Sequence, residues 1–296
     1  GAQRLAKNKA IVKQLSSVET LGATTIICTD KTGTLTRNEM TVKEIYFDRF
    51  HAAIKGIGYK PSGLVDIKKD SHAIVTIGKN EEKKSDLREE DAKDPFEKLK
   101  ESHPAVHHPL EFLLLTSALC NNANIEEENG EWKAIGDPTE SALIAMVEKC
   151  GLSMTTIKDR FEKIHEFPFD STRKLMTVLM KEKSTQRVFV FTKGAPGNIL
   201  NICGHVILNN NNILIDKSAK ADFLRKNEEM ASNALRCIAF AYKELSHHES
   251  KKIFAENEKL KKEEFETGMI FLGITGMLDP PRPEVKEAIE LTHQAG

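Results

Sequence analysis

The chain has 296 residues, enough for one large or two medium domains, each with its own core. Its 43 basic and 44 acidic side chains leave a net charge of -1, so no global field recruits nucleic acid or an anionic membrane surface. Cys28, Cys120, Cys150, Cys203 and Cys237 are odd in number and far apart, which excludes a disulfide frame and reads as reduced thiols in a cytosolic compartment.

In chain order, Gln3–Gln14 is a basic, helix-compatible run without the apolar core of a secretory signal, and residue 1 reads as an engineered boundary. Thr24–Thr29 is short, β-branched and apolar, which predicts a buried parallel strand ending at Asp30. At the carboxyl edge of an open α/β sheet, reacting groups and ligands collect. A strand follows over Val42–Phe47, then a weakly patterned stretch with Gly56, Gly58, Pro61 and Gly63, and a mixed domain begins there. Lys79–Glu101 is dominated by charge and predicts an exposed, mobile insertion. Helices are predicted over Leu110–Leu119 and Pro138–Lys149, the second opening on the cap-like Asp137. Thr177–Met180 and Val188–Thr192 read as a hairpin.

Further along, Ser218–Ala234 reads as a helix, Arg236–Tyr242 as a strand and Ser246–Glu266 as charged helix. Met269–Thr275 is strand-like, Asp279-Pro280-Pro281-Arg282 is a rigid break, and Glu284–Gln294 makes a last helix. The most apolar stretches, Phe112–Cys120 and Met269–Leu278, fall short of the roughly 18 residues that cross a bilayer.

The chemistry concentrates in Asp30-Lys31-Thr32-Gly33-Thr34-Leu35-Thr36. A carboxylate can attack a phosphoryl group to form an acyl phosphate. Lys31 supplies positive charge, Thr32 and Thr34 supply hydroxyls, and Gly33 lets the backbone approach a phosphate closely. Four other segments are ambiguous on their own residues. Lys193-Gly194-Ala195-Pro196 is equally a strand-ending turn, Phe169 an ordinary core aromatic, Asp137–Glu140 a helix cap and Arg236 a surface ion pair.

The heptad resembles the phosphorylation motif of P-type ATPases, in their cation-pump branch, and Leu15–Gly22 resembles the segment that precedes it there. The resemblance implies that Asp30 accepts the phosphoryl group, with Lys31 and Thr32 as its catalytic neighbours, and that Mg2+ is held by Asp30 and the carbonyl of Thr32. Soluble phosphatases of the same superfamily carry a second Asp where Thr32 stands, and a threonine cannot perform that proton transfer. The implied fold is α/β: a haloacid-dehalogenase-like, Rossmann-like partial phosphorylation domain over residues 1–43 and 269–296, with an inserted α+β nucleotide-binding domain over 44–268.

In the insertion, Phe167–Lys174 resembles the family's nucleotide segment, with Phe169 stacking on adenine, Lys174 near the phosphates and Ser171 where an arginine is common. Lys193 and Gly194 resemble the lysine turn that lines the adenine pocket, Glu140 the glutamate that meets the adenine amino group, and Arg236 the arginine that reaches the phosphate chain. Asp279, Pro280, Pro281 and Arg282 resemble the return crossing, which implies a hinge. His103-Pro104 and His108-Pro109 look like the His-Pro element of heavy-metal pumps, but its glycine-rich partner is missing and both read as loop histidines.

The resemblance therefore implies an ATP-binding, Mg2+-dependent, phosphorylated part of a cation pump at the cytoplasmic face of a membrane. Its partners are ATP, the actuator domain and transmembrane helices of its own polypeptide, and the transported cation, with no nucleic acid. The family's downstream threonine, lysine and aspartates do not occur before Gly296, which implies nucleotide binding with little or no hydrolysis by this chain alone. The alternatives are a soluble phosphohydrolase with a large cap and a nucleotide-binding module without catalysis.

Overall fold

A computed structural model describes residues 22–79, 95–255 and 260–295, with isolated positions before residue 22. Gln3–Gln14 and Leu15–Gly22 therefore lie almost wholly outside the described residues, as does most of the charged Lys79–Glu101 segment. The chain divides into a unit of residues 1–38 with 281–296 and a unit of residues 39–280.

The larger unit is built on a long, largely antiparallel sheet. Its strands in chain order are β1 (Thr41–Phe47), β2 (Phe50–Ile54), β3 (Gly63–Lys69), β4 (His72–Lys79), β5 (Asn124–Glu128), β6 (Glu131–Ile135), β7 (Phe161–Asp170), β8 (Leu175–Glu182), β9 (Val188–Gly194), β10 (Cys203–Leu208), β11 (Asn211–Leu214), β12 (Arg236–Glu244) and β13 (Met269–Leu278). The main path runs β4-β3-β2-β1-β13-β12-β9-β8-β7; β10 joins β13 in parallel and carries β11, while β5 and β6 form a separate hairpin. Met269–Leu278 is thus a central strand of this unit, between β1 and β12. The division falls at 38/39 and 280/281, and the hydrogen-bonded ladder of β13 commits that strand to the larger unit.

Helices cover both sheet faces: α1 (Pro95–Ser102), α2 (Pro104–Leu119), α3 (Pro138–Lys149), α4 (Met154–Arg160), α5 (Pro196–Ile202), α6 (Lys217–Ser232), α7 (His247–Ala255) and the short α8 (Lys262–Phe265). The continuous apolar run of β9 follows from that double cover. Phe189 and Phe191 join one core with Leu110, Leu113 and Leu143, while Val188 and Val190 join another with Ile199, Val206 and Phe271. β12 alternates in the same way, Phe240 and Tyr242 to the first core, Ala239 and Ala241 to the second. No helix among the described residues is long and apolar enough to cross a membrane.

Two expectations within this unit change. Pro95–Ser102 is a helix anchored by buried Phe96 and Leu99, so the charged insertion is not wholly exposed; residues 80–94 lie outside the described set. His107 and His108 sit inside α2, and His103 stands at its N-terminal flank, so His108 is a helix residue and not a loop histidine.

In the smaller unit, the predicted parallel strand at Thr24–Thr29 is absent. A strand exists only through a partner's hydrogen bonds, and none of the described residues pairs with this segment, which leaves Ile26 and Ile27 76% and 67% exposed. Asp30 instead caps a turn over Lys31–Leu35, its Oδ1 accepting the Thr32 N–H at 3.3 Å. Gly33, at φ 78°, supplies the left-handed step in that turn. The Arg282 N–H donates to Leu35 O and its guanidinium to Gly33 O, each at 2.9 Å, and α9 (Val285–Gln294) follows.

Candidate functional site

One open cleft of the larger unit, of about 650 Å³, gathers all seven residues expected at the nucleotide: Glu140, Phe169, Ser171, Lys174, Lys193, Gly194 and Arg236. Sequence separations of up to 96 residues close here because antiparallel pairing brings the start of β8, the end of β9 and the start of β12 to one sheet edge. Gly194 stands opposite Leu175 on one side and Ala239 on the other. The N-terminus of α3 completes the wall.

Each side chain has a local reason for its place. Asp137 caps α3, its Oδ1 accepting the Thr139 and Glu140 N–H groups at 2.8 and 3.1 Å, so Asp137–Glu140 is indeed a helix cap and also a wall of the cleft. That cap presents Glu140 in the first turn, where the helix dipole favours a carboxylate. Lys193, 6% exposed, donates to Glu140 Oε1 at 2.6 Å, and the Asn122 N–H donates to Oε2 at 2.9 Å. Both oxygens are held, and a buried lysine is satisfied by the pair it makes. Cys237, half-buried in the same wall, keeps its proton because burial pushes its thiol up to about 11.

Asp170 organises the opposite lip. Its Oδ1 accepts the Thr172 and Arg173 N–H groups at 2.8 and 3.1 Å, bonds that hold this exposed carboxyl below its usual range. Lys174 follows with φ 54°, its N–H closing on Asp170 O. The turn runs so close to β9 that a Cβ on Gly194 would fall 2.2 Å from Lys174 O, which reserves position 194 for glycine. Phe169 is 61% exposed, so it is no core aromatic: a large ring face is left open at the cleft. Arg236 reaches across to Thr139, Nη1 donating to Oγ1 at 3.3 Å, and makes no carboxylate ion pair among the described residues.

The arrangement offers a flat aromatic surface, a half-buried carboxylate held by a lysine and a backbone N–H, and the cations Lys174 and Arg236. These suit a planar amino-bearing ring joined to an anion. Thr139, Asn121 and Asn122 belong to this constellation although no motif singles them out. Thr139 lies inside the Asp137–Glu140 segment, where its hydroxyl reads only as a first-turn residue. Asn121 acts through its side-chain amide and Asn122 through its backbone N–H, placements that residue type does not reveal.

The sheet, the cleft and the sequence together define a P-type ATPase nucleotide-binding lobe. The family model described as P-type ATPase, cytoplasmic domain N, matches residues 109–284, and the chain belongs to this family. Among curated proteins it is 36% identical over 296 residues to the calcium-transporting ATPase of Bacillus subtilis, covering 100% of this chain and 29% of that protein. It is 33% identical over 297 residues to the cation-transporting ATPase pma1 of Synechocystis, covering 100% of this chain and 28% of that protein. Against calcium-transporting ATPase 2, endoplasmic reticulum-type, of Arabidopsis thaliana, it is 32% identical over 329 residues, covering 100% of this chain and 29% of that protein. The chain spans under a third of the length of these relatives.

Proposed function

We propose that this chain is the ATP-binding and phosphorylated cytoplasmic portion of a P-type ATPase that couples ATP hydrolysis to cation movement across a membrane. The observation that carries the proposal is the convergence of Glu140, Phe169, Ser171, Lys174, Lys193, Gly194 and Arg236 on one cleft. In this reading Phe169 stacks on adenine, Glu140 accepts from its amino group, Lys193 holds Glu140, and Lys174 and Arg236 meet the phosphates, with Ser171 and Gly194 shaping the mouth.

The phosphoryl acceptor is Asp30. An oxygen of its carboxylate attacks the terminal phosphorus, the bond to the bridging oxygen breaks, and the nucleoside diphosphate leaves. Lys31 offsets charge on the transferred group. Asp30 is exposed, and among the described residues its Oδ1 carries only the long bond from the Thr32 N–H, so the carboxylate is free to act. These hard oxygens suit Mg2+, which Asp30 and the Thr32 carbonyl would help to hold and which offsets phosphate charge when bound. Residues 1–38 and 281–296 would belong to a haloacid-dehalogenase-like phosphorylation domain, and Asp279, Pro280, Pro281 and Arg282 would act as the hinge where the chain leaves the larger unit.

In the whole protein, the partners would be an actuator domain and transmembrane helices of the same polypeptide, and the lobe would sit at the cytoplasmic face. The calcium-transporting relatives favour calcium as the transported cation. The test is label transfer from terminally labelled ATP to the full-length protein. An acid-stable, hydroxylamine-labile phosphoprotein is expected, lost in Asp30→Asn; label that survives this substitution overturns the assignment.

A further inference from the structure

Glu140 carries the recognition of the base in this reading, but its own carbons do not decide where its carboxylate points. Its Oε2 is fixed by the Asn122 N–H at 2.9 Å and its Oε1 by Lys193 at 2.6 Å. The Asn122 N–H is in turn aimed by its neighbour. Asn121 uses both amide protons and its oxygen on main chain: Nδ2 donates to Ser117 O at 3.1 Å and to Glu140 O at 2.9 Å, and Oδ1 accepts the Ala123 N–H at 2.8 Å. One half-buried side chain thus ties the last turn of α2, the first turn of α3 and the loop that leads from α2 into β5. On the far side, Asn122 Nδ2 donates to Glu166 Oε1 at 2.7 Å and its Oδ1 accepts from Lys163, so the loop is pinned to β7 as well.

We infer that Asn121 is a positioning residue that sets base selectivity, by holding the Asn122 N–H against Glu140 so that the carboxylate stays an acceptor aimed into the cleft. The inference rests on the nucleotide-binding reading above. Each carboxylate oxygen already accepts one hydrogen bond, and its remaining lone pair is a further acceptor. A base with an exocyclic amino group at the 6-position can donate to it. A base with a keto oxygen there meets lone pair with lone pair, and one of the two is left desolvated and unpaired. If the loop loosens, the Oε2 anchor is lost and Glu140 can turn away, so the amino base loses its advantage while contacts to the phosphates persist.

The experiment measures the affinity of the 296-residue chain for ATP, ADP and inosine triphosphate, which carries the 6-keto oxygen, in parallel with thermal melting. The parent chain should prefer ATP to inosine triphosphate by at least about tenfold. Asn121→Ala should lower that preference several-fold through weaker ATP binding, with inosine triphosphate affinity and the ATP to ADP ratio unchanged. Asn121→Asp keeps the acceptor for Ala123 but cannot donate, so it should show the same loss and decides the matter if the alanine variant does not fold. A merely structural role would weaken both triphosphates in parallel. That result, or an intact preference in a folded variant, overturns the inference while leaving the nucleotide site standing. A parent chain that binds none of the three overturns the functional reading and this inference together.

Discussion

Lys193→Met should lower the stability of the larger unit by about 2 to 3 kcal/mol and weaken ATP binding by at least about tenfold. Lys193 is buried in the β9 ladder opposite Met176 and Phe240, and among the described residues its only ion-pair partner is Glu140. Removing one member of a buried pair strands the other, which costs about 3 to 5 kcal/mol when both are fully dry. Here Glu140 keeps the Asn122 N–H and the helix N-terminus, so the smaller figure applies. Methionine preserves the apolar stem, so the loss reports charge and hydrogen bonding. Urea denaturation and calorimetric titration with ATP check both arms. Unchanged ATP affinity in a destabilised variant would reduce Lys193 to a structural residue.

Lys149→Met should do the opposite and stabilise the protein, in a pH-dependent way. Lys149 is 2% exposed at the end of α3; among the described residues its ammonium donates only to Gly58 O, at 3.4 Å, and has no carboxylate partner. Burial, reinforced by the charge of Lys43, pushes its pKa down to about 8. The folded value lies below the unfolded one, so the charged form is penalised in the fold. The penalty is fully present below about pH 8 and fades as pH rises toward the ordinary lysine value. The linkage is on the order of 3 kcal/mol. The advantage of Lys149→Met over the parent should therefore be about 2 to 3 kcal/mol at pH 7 and fall by a similar amount by about pH 10. Denaturant melts of both proteins at the two pH values measure the difference; a gain that does not change with pH would contradict the account.

These two lysines show what a sequence conceals. Lys193 is legible because Gly194, Ala195 and Pro196 follow it in a recognisable turn. Lys149 reads as an ordinary last-turn cation of a helix, and only the packing of its stem beneath Gly56 and Gly63 reveals its burial. Strands buried on both faces, such as Val188–Gly194, announce themselves as apolar runs. Strands β2 to β4 do not, because the tight turns at 48–49 and 70–71 are built without glycine. Asp48-Arg49 and Asp70-Ser71 adopt positive φ where Asn-Gly would be the expected signal, and a bulge at Ile67/Lys68 interrupts the alternation of β3. The segment before Asp30 fails for a different reason: its pattern is that of a strand, but no described neighbour supplies a ladder.

The cleft was more legible than the sheet that forms it. Motif residues must carry particular chemistry and so keep particular types, whereas Asn121 and Asn122 contribute through where they place a backbone N–H. Gly194 lies between these cases: its type is visible in the turn, but its reason, the Lys174 carbonyl pressed against it, appears only in three dimensions.

The central claim is that an adenine nucleotide occupies the cleft between Glu140, Phe169 and Lys193. Photolabelling of the chain with an azido-adenine derivative of ATP, followed by peptide mapping, tests it most directly. The account predicts saturable label confined to the peptides holding Asp137–Glu140, Phe169–Lys174 and Lys193–Ala195, suppressed by unlabelled ATP. ATP-protected label elsewhere, such as the separate groove lined by Tyr46, Asp216 and Phe223, or no protected label at all, would contradict it.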